Sequence, residues 1–230
     1  MLAQNFGVVE TILRNRYDFF GEIRDGENLH TKIRFMLVSS AIFLAIYGSV
    51  MGAAHSPFQS LASTVKLPLL FLATLMICTP SLHFFNVLFG STQTILQTLA
   101  LVLTTITTTS VLLLSFAPIT FFFLISSTDY HFFKLLNVIF FIIAGAIGIM
   151  FLRQGIITVT EKDRSEGVKT RRFIFALWVL LYAFVGTQMA WTLRPFMGIP
   201  SIPFHLFNQV GGNFYADVIE SFTQLISFGG

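Results

Sequence analysis

Residues 135–172 read LLNVIFFIIAGAIGIMFL followed by RQGIITVTEKDRSEGVKTRR. The first eighteen of these, Leu135 to Leu152, carry no charge, and the next twenty, Arg153 to Arg172, carry nine. Eighteen uncharged, mostly apolar residues reach across bilayer hydrocarbon as a helix. A helix of a soluble domain would show charges along one face, and this one has none. The stretch therefore predicts a membrane-spanning helix that ends abruptly in a charged, water-facing loop.

The same pattern recurs outward along the chain. Apolar runs cover 35–54, 67–89, 97–121 and 173–193, each bounded by charged, Gly-containing or Pro-containing segments, with Pro118 expected to end or kink the third span. The whole chain of 230 residues is 54% hydrophobic and 11% charged, with 28 phenylalanines and a mean hydropathy of +0.77. A soluble domain carries about 25% charged residues, so this composition excludes a soluble globular enzyme, a disordered chain and a coiled coil. Cys78 is the sole cysteine, which excludes an intramolecular disulfide scaffold. No cleavable signal peptide is expected, because residues 1–34 hold ten charges of both signs.

Charge position predicts topology. Of 25 charged residues, ten lie in 1–34 and nine in 153–172, leaving Lys66, Asp129, Lys134, Arg194, Asp217 and Glu220. Lys and Arg follow the same division, five in the first segment and six in the second. Segments rich in Lys and Arg stay cytoplasmic, and four spans between the two allow both to do so. The expected order is a cytoplasmic amphipathic segment (1–34), a five-span membrane domain (35–193) and an extracytoplasmic tail (194–230).

Both ends read as amphipathic helices. Leu2, Phe6, Val9, Leu13, Tyr17 and Phe20 recur at helical spacing, suited either to the membrane interface or to packing on the ends of the bundle. The tail after Arg194-Pro195 is too Pro-rich for helix and too apolar for a solvated loop, so it is expected to lie against protein or in the outer interface. A second amphipathic helix is expected from an Asn213 N-cap, with a stripe of Phe214, Val218, Phe222 and Leu225.

Several blocks carry a family resemblance. They are Phe19-Phe20, Ala45-Ile46-Tyr47-Gly48 through Gly52, Lys66-Leu67-Pro68-Leu69-Leu70, Pro80, Asn86 to Gly90, Ala117-Pro118 and Leu136 to Phe140. With Thr187 to Trp191 and Leu193-Arg194-Pro195-Phe196, the chain resembles Yip1-like polytopic membrane proteins of bacteria. Some of those carry a label as actin-binding WH2 proteins, although no segment here has an actin-binding motif placed for use. The resemblance implies a five-span bundle with a cytoplasmic N-terminus, in the bacterial inner (cytoplasmic) membrane.

Candidate sites are few. Gly48-x-x-x-Gly52 has the spacing that lets two helix backbones approach closely, and Ala144, Gly145 and Gly148 form a similar patch, for packing within the bundle or a homodimer seam. Thr104, Thr105, Thr107, Thr108, Thr109 and Ser110 crowd span three; Thr104, Thr105 and Thr108 with Asn137 are the candidate polar path. Trp191 and Arg194 are a candidate interface anchor, with Arg194 either on lipid phosphate and the last carbonyls or paired with Asp217, Glu220 or Asp129. No Asp or Glu lies in any span, which argues against a proton relay. No P-loop, GxGxxG, GxSxG or HExxH occurs, and the five histidines have no i+3 or i+4 partners. The expectation is an all-α, integral membrane five-helix bundle with amphipathic interfacial helices at both ends and no catalytic residue, metal or cofactor. It is expected to pack against other membrane proteins or itself in the lipid bilayer, without nucleic acid. The alternative is a small channel or transporter using the Thr-rich third span.

Overall fold

The computed structural model describes the backbone of residues 2–88, 92–127, 129–160, 168–198, 204–207 and 213–228. Side chains 2–6, 160, 168–172, 174 and 225–228 lie outside the description. Among the described residues there are eight helices and no strand: α1 (Leu2–Arg14), α2 (Arg16–Arg24), α3 (Leu29–Gly52), α4 (Pro57–Leu88), α5 (Ile95–Ser126), α6 (Tyr130–Thr160), α7 (Val168–Leu193) and α8 (Phe214–Phe228). Helices α3 to α7 are long and apolar enough to cross a membrane, with windows of mean hydropathy from 1.4 to 2.6. The protein is an all-α, five-helix membrane bundle with an amphipathic helical segment at each end.

The spanning helices overrun the apolar runs. Helices α4 and α5 have 32 residues each, so each is about 48 Å long against a hydrocarbon thickness of about 30 Å. They must tilt or project into the interface. The second span starts at Pro57 rather than near Leu67, because a proline in the first turn loses no hydrogen bond. Pro68 and Pro80 lie inside α4, and Pro118 lies inside α5 without ending it. Packed neighbours and local adjustment make such prolines tolerable in spans. A capping box starts α5, with Thr94 accepting from the Gln97 backbone and Gln97 accepting from the Thr94 backbone.

Within the bundle, α3 packs on both α4 and α5, α6 packs on the far side of α5, and α7 leans on α4. The N-terminal segment is two helices, not one. The chain breaks at Asn15, whose φ of −122° and ψ of 48° are non-helical. The break re-phases the apolar stripe: Val9, Ile12, Phe19, Phe20 and Ile23 are buried, while Leu13 and Tyr17 are exposed. Leu2 and Phe6 have side chains outside the description. Of the two placements considered for this segment, packing on the bundle ends accounts for the buried set. Gln97 of α5 donates to the carbonyls of Ile23 (3.2 Å) and Arg24 (2.8 Å), and the Phe20 ring abuts Gly155 of α6. The N-terminal helices and the end of α6 thus share one face.

Helix α8 caps the opposite face. Asn213 accepts from the Ala216 backbone at 2.8 Å, as the N-cap reading required. Lys134 at the start of α6 pairs with Asp217 at 2.5 Å, and the Tyr215 hydroxyl lies 3.0 Å from that of Thr187 on α7. Helix α8 therefore bridges α6 and α7. Ser221 is its most buried described residue, whereas Tyr215, Ile219 and Phe222 face outward as an apolar surface suited to the membrane interface. Leu225 lies outside the described side chains.

Candidate functional site

The threonine-rich segment sits at the centre of the fold. Every residue from Ala100 to Ser110 is buried, because α3, α4 and α6 surround α5. Burial on all sides explains why the hydroxyls need not make a stripe. Thr104, Thr105, Thr107 and Thr108 each donate to the carbonyl four residues back, at 2.8, 3.4, 2.8 and 2.9 Å. Ser110 donates to the Thr107 carbonyl at 2.8 Å. Such bonds hide a hydroxyl in its own helix. Three bonds cross helices: Thr104 reaches Met36 Sδ of α3 (3.6 Å), Thr109 donates to the Ala144 carbonyl (3.3 Å), and Ser40 of α3 meets Thr107 at 3.0 Å.

Asn137 lies one layer away. It accepts from the Tyr47 hydroxyl at 2.7 Å and donates to the Phe133 carbonyl at 2.8 Å. Thr120 reaches the same Tyr47 hydroxyl at 3.5 Å. The three residues tie α3, α5 and α6 through one buried polar node, with Phe141 standing edge-on to the Tyr47 ring. A satisfied buried node of this kind fixes the relative register of the helices that share it.

The small residues divide sharply. A Cβ on Gly48 would collide with the Ser63 carbonyl oxygen, and one on Gly52 would meet that of Gln59 at 2.6 Å. Helices α3 and α4 therefore touch backbone to backbone, with their contact inside the bundle. Gly148 faces Thr105 and Thr109 of α5 in the same way, and Ala144 is fully buried beside it. Gly145 faces open space.

A polar stripe that sequence reasoning missed lies on α4. Gln59, Ser63 and Lys66 are spaced i, i+4 and i+7, hence on one face, and all three are buried, Gln59 at 0% and Lys66 at 4% exposure. Each donates to a backbone carbonyl of the C-terminal tail. Gln59 Nε2 binds the Pro195 carbonyl at 2.7 Å, Ser63 Oγ binds that of Phe196, and Lys66 Nζ binds those of Pro195 (3.2 Å) and Leu206. The Lys66 ammonium also sits 4.8 Å from the Phe207 ring centroid. The turn at Gly198, with φ of +70°, brings its backbone onto the His55 ring with no room for a Cβ. The tail is thus clasped to the α3–α4 corner; residues 199–203 and 208–212 lie outside the description.

Arg194 and Trp191 stand at the entry to this clasp, the guanidinium carbon 3.4 Å from the indole centroid. Asp217, one of the partners considered for Arg194, is paired with Lys134 instead. The tail is tied by carbonyls to α4. At the other face, Asp25 holds the Arg24 guanidinium at 2.9 and 3.1 Å, and that hydrogen bond raises the Arg24 pKa.

Helix α7 has the least cover. Only 6% of its spanning window is buried, and Phe173, Leu177, Leu180, Leu181 and Phe184 point outward. Its inner side is an aromatic column, Phe175–Trp178–Tyr182, with the Trp178 indole donating to Ser81 of α4 at 3.1 Å. Comparisons with family models, with curated proteins and with solved structures find no match.

Proposed function

We propose that the protein is a non-catalytic membrane subunit or scaffold, working by contact with other integral membrane proteins or with its own copies. The observation that carries this reading is the use of the intramembrane polar groups. The hydroxyls of α5, the Tyr47–Asn137 node and the α4 stripe are bonded inside the bundle. A conduit needs polar groups aimed into a water-filled space, whereas residues 100–110 are packed on every side. The outer face of α7, which among the described residues is held by α4 along one side and by α8 near one end, is the edge best suited to a partner helix, with lipid as its default cover.

The resemblance of the short blocks to Yip1-like bacterial proteins supports a place in the bacterial inner membrane. The segregation of Lys and Arg supports an orientation in which the α1–α2 face is cytoplasmic and the α8 face extracytoplasmic. Solute flux into proteoliposomes of purified protein tests the functional reading. Vesicles are expected to leak no faster than protein-free controls, and selective, saturable flux would transfer the protein to the channel or transporter class.

A further inference from the structure

On the α1–α2 face an open cleft of about 510 Å³ lies between α1, α2 and the first turns of α3. Ligand pockets fall in the range of about 300–1,000 Å³, mostly apolar with a few placed polar groups, and this cleft has that make-up. Val8, Phe19 and Phe35 supply its apolar walls. Thr11 and Thr31 add hydroxyls, and Glu22 with Lys32 adds one charge of each sign. At Gly7 the wall has no side chain, and a Cβ there would meet nothing within 4 Å. The cleft sits at the membrane boundary, since Arg34 ends the charged segment and Phe35 opens the first apolar run.

The charged pair is only partly used. Lys32, at 9% exposure, bonds Glu22 Oε2 at 2.8 Å and the Glu27 carbonyl at 2.6 Å. An ammonium has three donors, so one N–H of Lys32 is left over among the described bonds. Glu22 uses Oε2 in that pair, and among the described residues its Oε1 has no recorded bond. One donor and one acceptor of opposite charge therefore stand side by side above an apolar trough. We infer that the cleft binds a phospholipid with a phosphoethanolamine headgroup, its phosphate on Lys32 and Thr31, its ammonium on Glu22, and an acyl chain along the half-buried Val8 and Phe35. An anionic headgroup would meet the Glu22 carboxylate with no cation to offer it, and a choline headgroup has no N–H to donate. This inference is independent of whether the protein has a protein partner.

The test is native mass spectrometry of the full chain in detergent, titrated separately with phosphatidylethanolamine, phosphatidylcholine, phosphatidylglycerol and soluble glycerophosphoethanolamine. Phosphatidylethanolamine is expected to be retained one per chain and at least tenfold more tightly than the other three probes. Gly7→Leu, which fills the cleft from an open position, and Glu22→Gln, which removes the acceptor charge, are each expected to abolish that preference. Their melting temperatures without lipid report whether they are folded, and Glu22→Gln decides alone if Gly7→Leu is not. Equal retention of the three lipids would overturn the inference. So would retention unchanged in a folded variant, or soluble headgroup bound as tightly as the lipid.

Discussion

At the scale of the residue, Gly48 and Gly145 make opposite demands although both sit in small-residue motifs. A methyl on Gly48 drives into the α4 backbone, where nothing flexible can yield. Gly48→Ala is expected to destabilise the protein by about 1–3 kcal/mol, the usual range for overpacking. Gly145→Ala enters open space and should change stability by no more than about 0.5 kcal/mol. Thermal unfolding in one detergent compares the two directly. Tyr47→Phe is subtler: it removes the donor to Asn137 and leaves a buried amide oxygen unsatisfied, at a cost of about 1–3 kcal/mol. Lys66→Met removes the ammonium from the tail carbonyls while keeping most of the side-chain volume. Limited proteolysis should then cut the tail several-fold faster than in the unaltered protein, with the membrane helices still intact.

At the scale of the element, α5 decides between packing and conduction. Thr104 and Thr108 bond to carbonyls of their own helix, so replacing both with valine removes only one bond between spans, the long one from Thr104 to Met36 Sδ. The double variant Thr104→Val, Thr108→Val should fold and assemble normally, with a stability change near the average of about 0.6 kcal/mol measured for hydrogen bonds between spans. Helix existence was legible in the sequence because the 25 charges cluster so strongly that five apolar runs stand clear. Helix ends were less legible. Pro118 looks like an end or a kink, but surrounding helices hold α5 helical through it. The break at Asn15 was hidden because α1 and α2 are both amphipathic, and a small change of phase there moves Leu13 and Tyr17 outward and Ile12 inward. The clasp on α4 was illegible for a different reason. Its donors, Gln59, Ser63 and Lys66, have a readable spacing, but its acceptors are backbone carbonyls, which any residue carries.

At the scale of the whole molecule, the two ends of the chain lie on opposite faces of the bundle, with α2 against the end of α6 and α8 against its start. Single cysteines introduced at Asp18 and Arg153 should therefore react with an impermeant thiol reagent from the same side of the membrane, and one at Asn213 from the other. Cys78 is buried and should stay silent in that assay. The hydroxyls of α5, the Tyr47–Asn137 node and the donors of the α4 stripe are bonded within the bundle, and α7 leaves a long apolar flank outside. Native mass spectrometry of the protein extracted in mild detergent from the membrane that makes it is the most direct test. The account predicts that the 25.8 kDa chain is found in complexes of defined stoichiometry, with a membrane protein or with further copies of itself. Recovery only as a lone 25.8 kDa monomer, with lipid as its sole companion, would contradict it.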